Sequence, residues 1–232
     1  MNVGLTVAGL AVAAYLIGGI PFGLLAGWTR GIDVRRAGSG NIGATNVSRL
    51  LGRGYGVAVF VLDVLKGLLP TLAAGRALAG PVGEAEVSEP VRYLCWLLIG
   101  AACVLGHNYP LYLGFRGGKG VSTSLGVALG IYPLLTWAGV LAFAVWGVVL
   151  AISRYVSLAS VAAGLAFPVG FAVVARWQGR SVVGELWPLL VFSVLLAVMV
   201  VIRHRANLAR LRAGTEARIG SSRARPPSDT RS

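Results

Sequence analysis

Two glycine clusters in this 232-residue chain carry residue types that hold anions. The first reads Gly38-Ser39-Gly40-Asn41-Ile42-Gly43 and runs on through Thr45, Asn46 and Arg49. Glycines let backbone N–H groups turn toward a negative charge, Ser39, Asn41, Thr45 and Asn46 add short polar groups, and Arg49 offers a two-pronged donor. The spacing formally matches the G-x-G-x-x-G dinucleotide fingerprint. That fingerprint needs a preceding strand, a following helix and an acidic residue about 20 positions on. Here it lies between apolar segments and lacks the acidic partner.

The second cluster is Arg116-Gly117-Gly118-Lys119-Gly120, followed by Ser122, Thr123 and Ser124 at the start of an apolar segment. A Walker A loop is excluded, because Gly-x-x-x-x-Gly-Lys-Ser/Thr would need glycine at the position of Lys119. A lysine, backbone amides and a helix N-terminus still make an anion site on physical grounds. Flexible loops, or basic loops touching lipid headgroups, are the plainer alternatives for both clusters.

Other polar residues stand out because their surroundings are apolar. His107 ends one apolar segment, where it can orient or deprotonate a hydroxyl or serve as a structural hydrogen-bonder. Asp63 and Lys66, at i and i+3, share one face of a predicted helix. Each alone would cost about 2.5–3.5 kcal/mol at mid-bilayer, so an ion pair or a polar cavity must offset them. Lys66 is a candidate substrate ligand and the pair a candidate helix-orienting device. Ser157 and Ser160 also share a face. His204 sits at the end of the last apolar segment and reads as interfacial. Cys95 and Cys103 lack the spacing of a zinc site or a disulfide framework.

These residues must be positioned by membrane helices. Apolar residues make up 56% of the chain and charged ones 12%, outside the range of a soluble domain. At about 20 residues per crossing, apolar runs near 3–27, 56–76, 91–108, 121–135, 136–152, 157–175 and 186–202 predict an all-α, polytopic protein of about seven transmembrane helices. The fourth and fifth require a tight turn at Ile131-Tyr132-Pro133. With 21 basic residues against 8 acidic, the formal charge is +13. An N-terminus outside and a C-terminus in the cytoplasm put 16 of the 21 basic residues inside, as the positive-inside rule requires. Arg76, Arg92, Arg176 and Arg180 then lie outside with Glu84, Glu86, Glu89 and Glu185. The first run has no basic residue before it and reads as a retained span, not a cleaved signal. Residues 1–214 form one transmembrane domain and 215–232 read as a disordered basic cytoplasmic tail. A nucleic-acid surface is excluded, since no soluble aromatic-basic face exists to carry it.

The segments GSGNIGATNVSR (38–49), GHNYPLYLGFRGGKG (106–120) and RYVSLAS (154–160) closely resemble the three signature motifs of the PlsY family of bacterial acyl-phosphate:glycerol-3-phosphate acyltransferases. FVLDVLKGLLP (60–70) and HRANLARL (204–211) are similar to that family as well. The resemblance implies transfer of a fatty acyl group from acyl phosphate to the 1-hydroxyl of sn-glycerol 3-phosphate, giving lysophosphatidic acid and phosphate in the first acylation of phospholipid biosynthesis. It implies a bacterial inner-membrane location with the motifs on the cytoplasmic side. It implies neither metal nor nucleotide cofactor, with membrane lipid around the protein and transient contact with the soluble acyl-phosphate synthase PlsX.

Carried onto this chain, the resemblance makes Ser39, His107 and Lys119 catalytic. Gly38, Gly40, Asn41, Thr45, Asn46, Arg49, Lys66, Arg116, Gly117, Gly118, Gly120, Ser157, Ser160 and Asn207 become substrate-binding. Arg116 departs from the family's usual lysine, keeping the charge but changing donor geometry. The His-x-x-x-x-Asp acyltransferase signature is absent, as is the His-x-x-x-Asp of lipid phosphatases: Leu111 and Tyr112 follow His107 at those spacings, Leu208 and Ala209 follow His204. A phosphate transporter would need polar residues at midplane on several spans, whereas here they gather toward one side.

Overall fold

The computed structural model describes residues 3–79 and 88–220. Ten α-helices order these residues: α1 (Val3–Gly18), α2 (Phe22–Trp28), α3 (Ala44–Leu51), α4 (Arg53–Ala79), α5 (Glu89–Asn108), α6 (Val121–Gly130), α7 (Leu134–Ser153), α8 (Val156–Trp177), α9 (Trp187–Arg203) and α10 (Arg205–Arg212). Glu84 and Glu86 lie outside the described residues.

Five segments are long and apolar enough to cross a bilayer: 3–28, 53–79, 89–113, 134–153 and 156–177. A sixth forms if α9 and α10, bent by 54°, count as one span. The expected span at 121–135 is instead α6, a helix of 10 residues. At 1.5 Å per residue it reaches about 15 Å, half the hydrocarbon thickness of about 30 Å. Ile131–Pro133 separates α6 from α7 and does not merely kink one helix. Large apolar side chains such as Leu5, Leu69, Leu98, Ile152, Val169 and Leu195 face outward. That is the surface a hydrocarbon solvent selects.

Close backbone crossings set the bundle. A Cβ on Gly18 would strike the Cys103 carbonyl, and one on Gly106 would strike that of Tyr15, so α1 and α5 touch main chain to main chain. Gly67 and Gly126 do the same for α4 and α6, against Thr123 and Val64. Small residues permit such approach where lipid gives no hydrophobic drive. Pro70, inside α4, removes the N–H that would bond the Lys66 carbonyl. The buried Cys103 thiol donates to that oxygen at 2.9 Å, which gives this cysteine a structural task.

Two apolar clusters hold the frame. The larger packs Ile99, Val104, Val127, Leu135, Phe171 and Leu189 between α5, α6, α7, α8 and α9. The smaller joins Leu24, Val34, Ile42, Val47 and Val59, fastening the first glycine loop and α3 onto α2 and α4. The alternation of helices brings the α2–α3 loop, the α5–α6 loop, the α7–α8 turn and the α9–α10 corner to one end. At the other end Arg180 bonds Glu89 at 2.8 Å and Glu185 at 3.2 Å.

Candidate active site

The first glycine loop is built around Asn46, which is 1% exposed. Its amide nitrogen donates to the carbonyls of Val34, Ala37 and Asn41 at 3.0, 3.2 and 2.9 Å, and its oxygen accepts the Ser39 N–H at 2.8 Å. Those bonds occupy the side chain inside the loop, so the structure places Asn46 as the scaffold of the motif. Asn41 accepts the Gly43 N–H at 2.8 Å and so shapes the entry to α3. Arg49 leaves that helix toward the cavity and donates to the Ala217 carbonyl at 3.1 Å.

In the second loop, Gly117 and Gly118 lie against His107. Their N–H groups donate to the carbonyls of Asn108 and His107 at 3.1 and 3.0 Å. A Cβ on Gly118 would fall on the imidazole ring, so glycine there lets the loop lie on His107. Gly120 caps α6 at φ 77°, a left-handed conformation that glycine adopts without strain. Arg203, stacked on Tyr109, donates to the Gly118 carbonyl and holds the loop from the α9 side. Lys119 reaches across to the Asn207 side-chain oxygen. Burial lowers the Lys119 ammonium to about 8; Glu216 opposes that shift, while Arg210, Arg49 and Arg203 add to it.

Asp63 and Lys66 form a buried pair at 2.8 Å, and His107 Nδ1 stands 3.6 Å from Asp63. Lys66 also donates at 2.8 Å to the Ile20 carbonyl at the α1–α2 break. Lys66 therefore ties α4 to the first span and does not line the cavity, while Asp63 and His107 do. On α8, Ser157 donates to Glu216 at 2.9 Å. Ser160 donates to the Val156 carbonyl at 2.8 Å and accepts from the Trp146 indole at 3.3 Å.

Glu216 falls in the stretch expected as a tail, and it lines the cavity; residues 221–232 lie outside the described residues. The Glu216 carboxylate, 8% exposed, accepts from Ser157, from Asn207 at 2.6 Å and from Arg210 at 2.8 Å. Burial alone would raise its pKa, but these hydrogen bonds hold it below the usual carboxylate value. Ile219 then bonds the Arg154 carbonyl at 2.9 Å, closing the segment over the α7–α8 turn. Hydropathy hid this residue, because it stands in a polar stretch without apolar period. His204, expected at the interface, is 3% exposed, bonds the Val200 carbonyl through Nδ1 at 2.8 Å and lines the cavity.

One cavity of about 180 Å³ gathers these groups. Of the sequence candidates, Ser39, Asn41, Thr45, Asn46, Arg49, His107, Lys119, Gly120, Ser157, Ser160 and Asn207 line it. Gly38, Gly40, Lys66, Arg116, Gly117 and Gly118 do not, and Arg116 is exposed. The N-termini of α3, α6 and α8 all open on it through Ala44 and Thr45, Val121 and Ser122, and Val156 and Ser157. Each helix end carries roughly half a positive charge, so three ends with Arg49 and Lys119 make a preorganised anion field. Deeper in, the lining turns apolar: Phe60, Phe143, Ala142, Gly164, Phe167 and Leu196. Among the described residues no group of three or more His, Cys, Asp or Glu is placed to hold a metal ion. The chemistry available is binding of anionic groups at the mouth and of an aliphatic portion below, with a buried imidazole beside both.

The family model described as glycerol-3-phosphate acyltransferase matches residues 8–214. The glycerol-3-phosphate acyltransferase of Geobacter sulfurreducens is 45% identical over 212 residues, covering 90% of this chain and 96% of its own. That of Synechococcus elongatus is 42% identical over 219 residues, covering 93% and 96%. The fold matches crystal structures of PlsY, an integral membrane glycerol 3-phosphate acyltransferase, in its glycerol 3-phosphate and lysophosphatidic acid forms. Their TM-scores are 0.76 and 0.74, at 37% identity over 93% of this chain and 96% of theirs. The helices, the motif segments and these likenesses agree: this chain is an integral membrane protein and belongs to the PlsY family of glycerol-3-phosphate acyltransferases.

Proposed function

We propose that the chain transfers a fatty acyl group from acyl phosphate to the 1-hydroxyl of sn-glycerol 3-phosphate, yielding lysophosphatidic acid and phosphate. The observation that carries this reading is the change of character along one cavity, from a mouth of helix N-termini, Arg49 and Lys119 to an apolar interior. Two phosphates and one alkyl chain need both environments side by side. The substrates in the names of its relatives support the acceptor and product.

An acyl phosphate is a mixed anhydride with a good leaving group, so positioning and charge neutralisation supply most of the catalysis. The glycerol hydroxyl oxygen attacks the acyl carbonyl carbon, the bond from that carbon to the phosphate oxygen breaks, and phosphate departs toward Lys119 and Arg49. A phosphate oxygen takes the hydroxyl proton, and His107 orients the hydroxyl. Ser39 holds a phosphate oxygen, Ser157 fixes the Glu216 carboxylate at the cavity wall, and Asn207 aims the Lys119 ammonium. The lysine and arginine distribution supports a site on the cytoplasmic side of a bacterial inner membrane, N-terminus out and C-terminus in. There a soluble acyl-phosphate synthase of the PlsX type can deliver the donor.

Purified protein in detergent, given glycerol 3-phosphate with either palmitoyl phosphate or palmitoyl-CoA, tests the donor. The expected result is lysophosphatidic acid and phosphate in equal amounts from the first donor. Product from palmitoyl-CoA alone would overturn the assignment.

A further inference from the structure

The apolar part of the cavity ends inside the bundle. Gly139 and Ala142 on α7, Ala128 on α6 and Phe167 on α8 line its deep end. One turn farther, Leu135, Ala138 and Phe171 are fully buried in the core and close it. Gly139 lies fourteen residues from the Ser153 end of α7, about 21 Å at the helical rise. Phe167 lies ten residues beyond Ser157 on α8, about 15 Å. Those depths bracket extended lauroyl and palmitoyl chains. The side wall is fixed too: the Trp146 indole bonds Ser160, Phe143 stacks on Trp146 at 5.5 Å, and Phe60 stacks on Phe143 at 6.2 Å. Ser124, 9% exposed and lining the same cavity, has a hydroxyl oxygen without a hydrogen-bond partner, one polar contact left for an occupant beside the apolar shaft.

We propose that the floor formed by Gly139, Ala142 and Phe167 is the acyl-length determinant: the donor's alkyl chain enters from the reacting carbonyl and is limited where α7 and α8 close. This rests on the acyltransferase reading above and adds which chains it accepts. The size pattern supports it. Glycine and alanine on α7 and α6 leave room that larger side chains would take, and a Cβ on Gly139 would already stand 3.1 Å from that of Ala128.

The test is a ladder of decanoyl, lauroyl, palmitoyl and stearoyl phosphates, with kcat/KM measured for the parent, Ala142→Leu and Phe167→Ala. Ala142→Leu should lower palmitoyl kcat/KM at least tenfold more than decanoyl kcat/KM. Its Tm in detergent, compared with the parent's, reports correct folding. Phe167→Ala should raise the stearoyl-to-palmitoyl ratio at least threefold. Equal changes at every chain length in both variants, or an unchanged ladder in both, would overturn the proposal. Repeating the ladder with acyl-CoA separates the two ideas: a parent that uses only CoA esters refutes the donor, while the variants still show whether the floor measures chain length.

Discussion

Replacing Lys119 by methionine removes one ammonium from the anion field while nearly keeping its volume. A hydrogen bond to a charged group is worth about 1.5–3 kcal/mol. At about 1.36 kcal/mol per factor of ten, kcat/KM for glycerol 3-phosphate should fall roughly 10- to 150-fold near neutral pH. The pH profile is the sharper readout. Burial sets the Lys119 pKa at about 8, below the ordinary lysine value, so the charge is present below that pH and lost above it. Because kcat/KM reports the free enzyme, the parent should lose about tenfold per pH unit on the alkaline side. Lys119→Met should lack that limb. Lys119→Arg, charged throughout, should carry it beyond the measurable range. Initial rates of lysophosphatidic acid formation from palmitoyl phosphate, between about pH 6.5 and 9.5, decide the matter. A parent profile flat through about pH 8, or an alkaline limb surviving in Lys119→Met, would refute the assignment of this ammonium to substrate phosphate.

Other substitutions separate scaffold from chemistry. His107→Ala should lower kcat about 100-fold, the cost of misplacing the attacking hydroxyl by about an ångström; near-normal turnover would remove His107 from the mechanism. Lys66→Met leaves Asp63 buried without its cation and should cost about 3–5 kcal/mol of stability, read as a lowered Tm in detergent. An unchanged Tm with lost activity would instead return Lys66 to the site. Gly118→Ala drives a methyl into the His107 ring, and overpacking of about 1–3 kcal/mol should appear as lost activity, while Gly54→Ala, in α4 with open space at its Cβ, serves as the control. Truncation after Ala213 should raise KM for glycerol 3-phosphate at least tenfold and truncation after Gly220 should not; equal KM values would show that Glu216 does no work at the site.

Much of the architecture was legible because bilayers demand long apolar runs: six of the seven predicted runs overlap α1–α2, α4, α5, α7, α8 and α9, and five of those segments are long and apolar enough to cross. The exceptions have local causes. Val121–Gly130 shares the composition of a span but not its length, and hydropathy continued across Ile131–Pro133 as though one helix led into the next. Asn46 and Lys66 read as ligands because polar residues in polar motifs or apolar helices invite that reading, and in the structure both side chains bond main chain, Asn46 while lining the cavity. Their partners, main-chain carbonyls at Val34, Ala37, Asn41 and Ile20, leave no mark in a sequence. Arg203 counted only toward topology, although it holds the second glycine loop. Glu216 was invisible for a related reason: the serine it meets lies 59 residues earlier, and nothing periodic joins them.

That late carboxylate also dictates when the protein can begin to work. Ser39 belongs to the loop between α2 and α3, among the first parts to leave the ribosome, whereas Glu216 follows α9 and α10. No translation product that stops before Glu216 contains the whole cavity. Insertion of the α9 helix and emergence of the segment after it thus complete the cavity, and nascent chains stalled before them lack part of its lining.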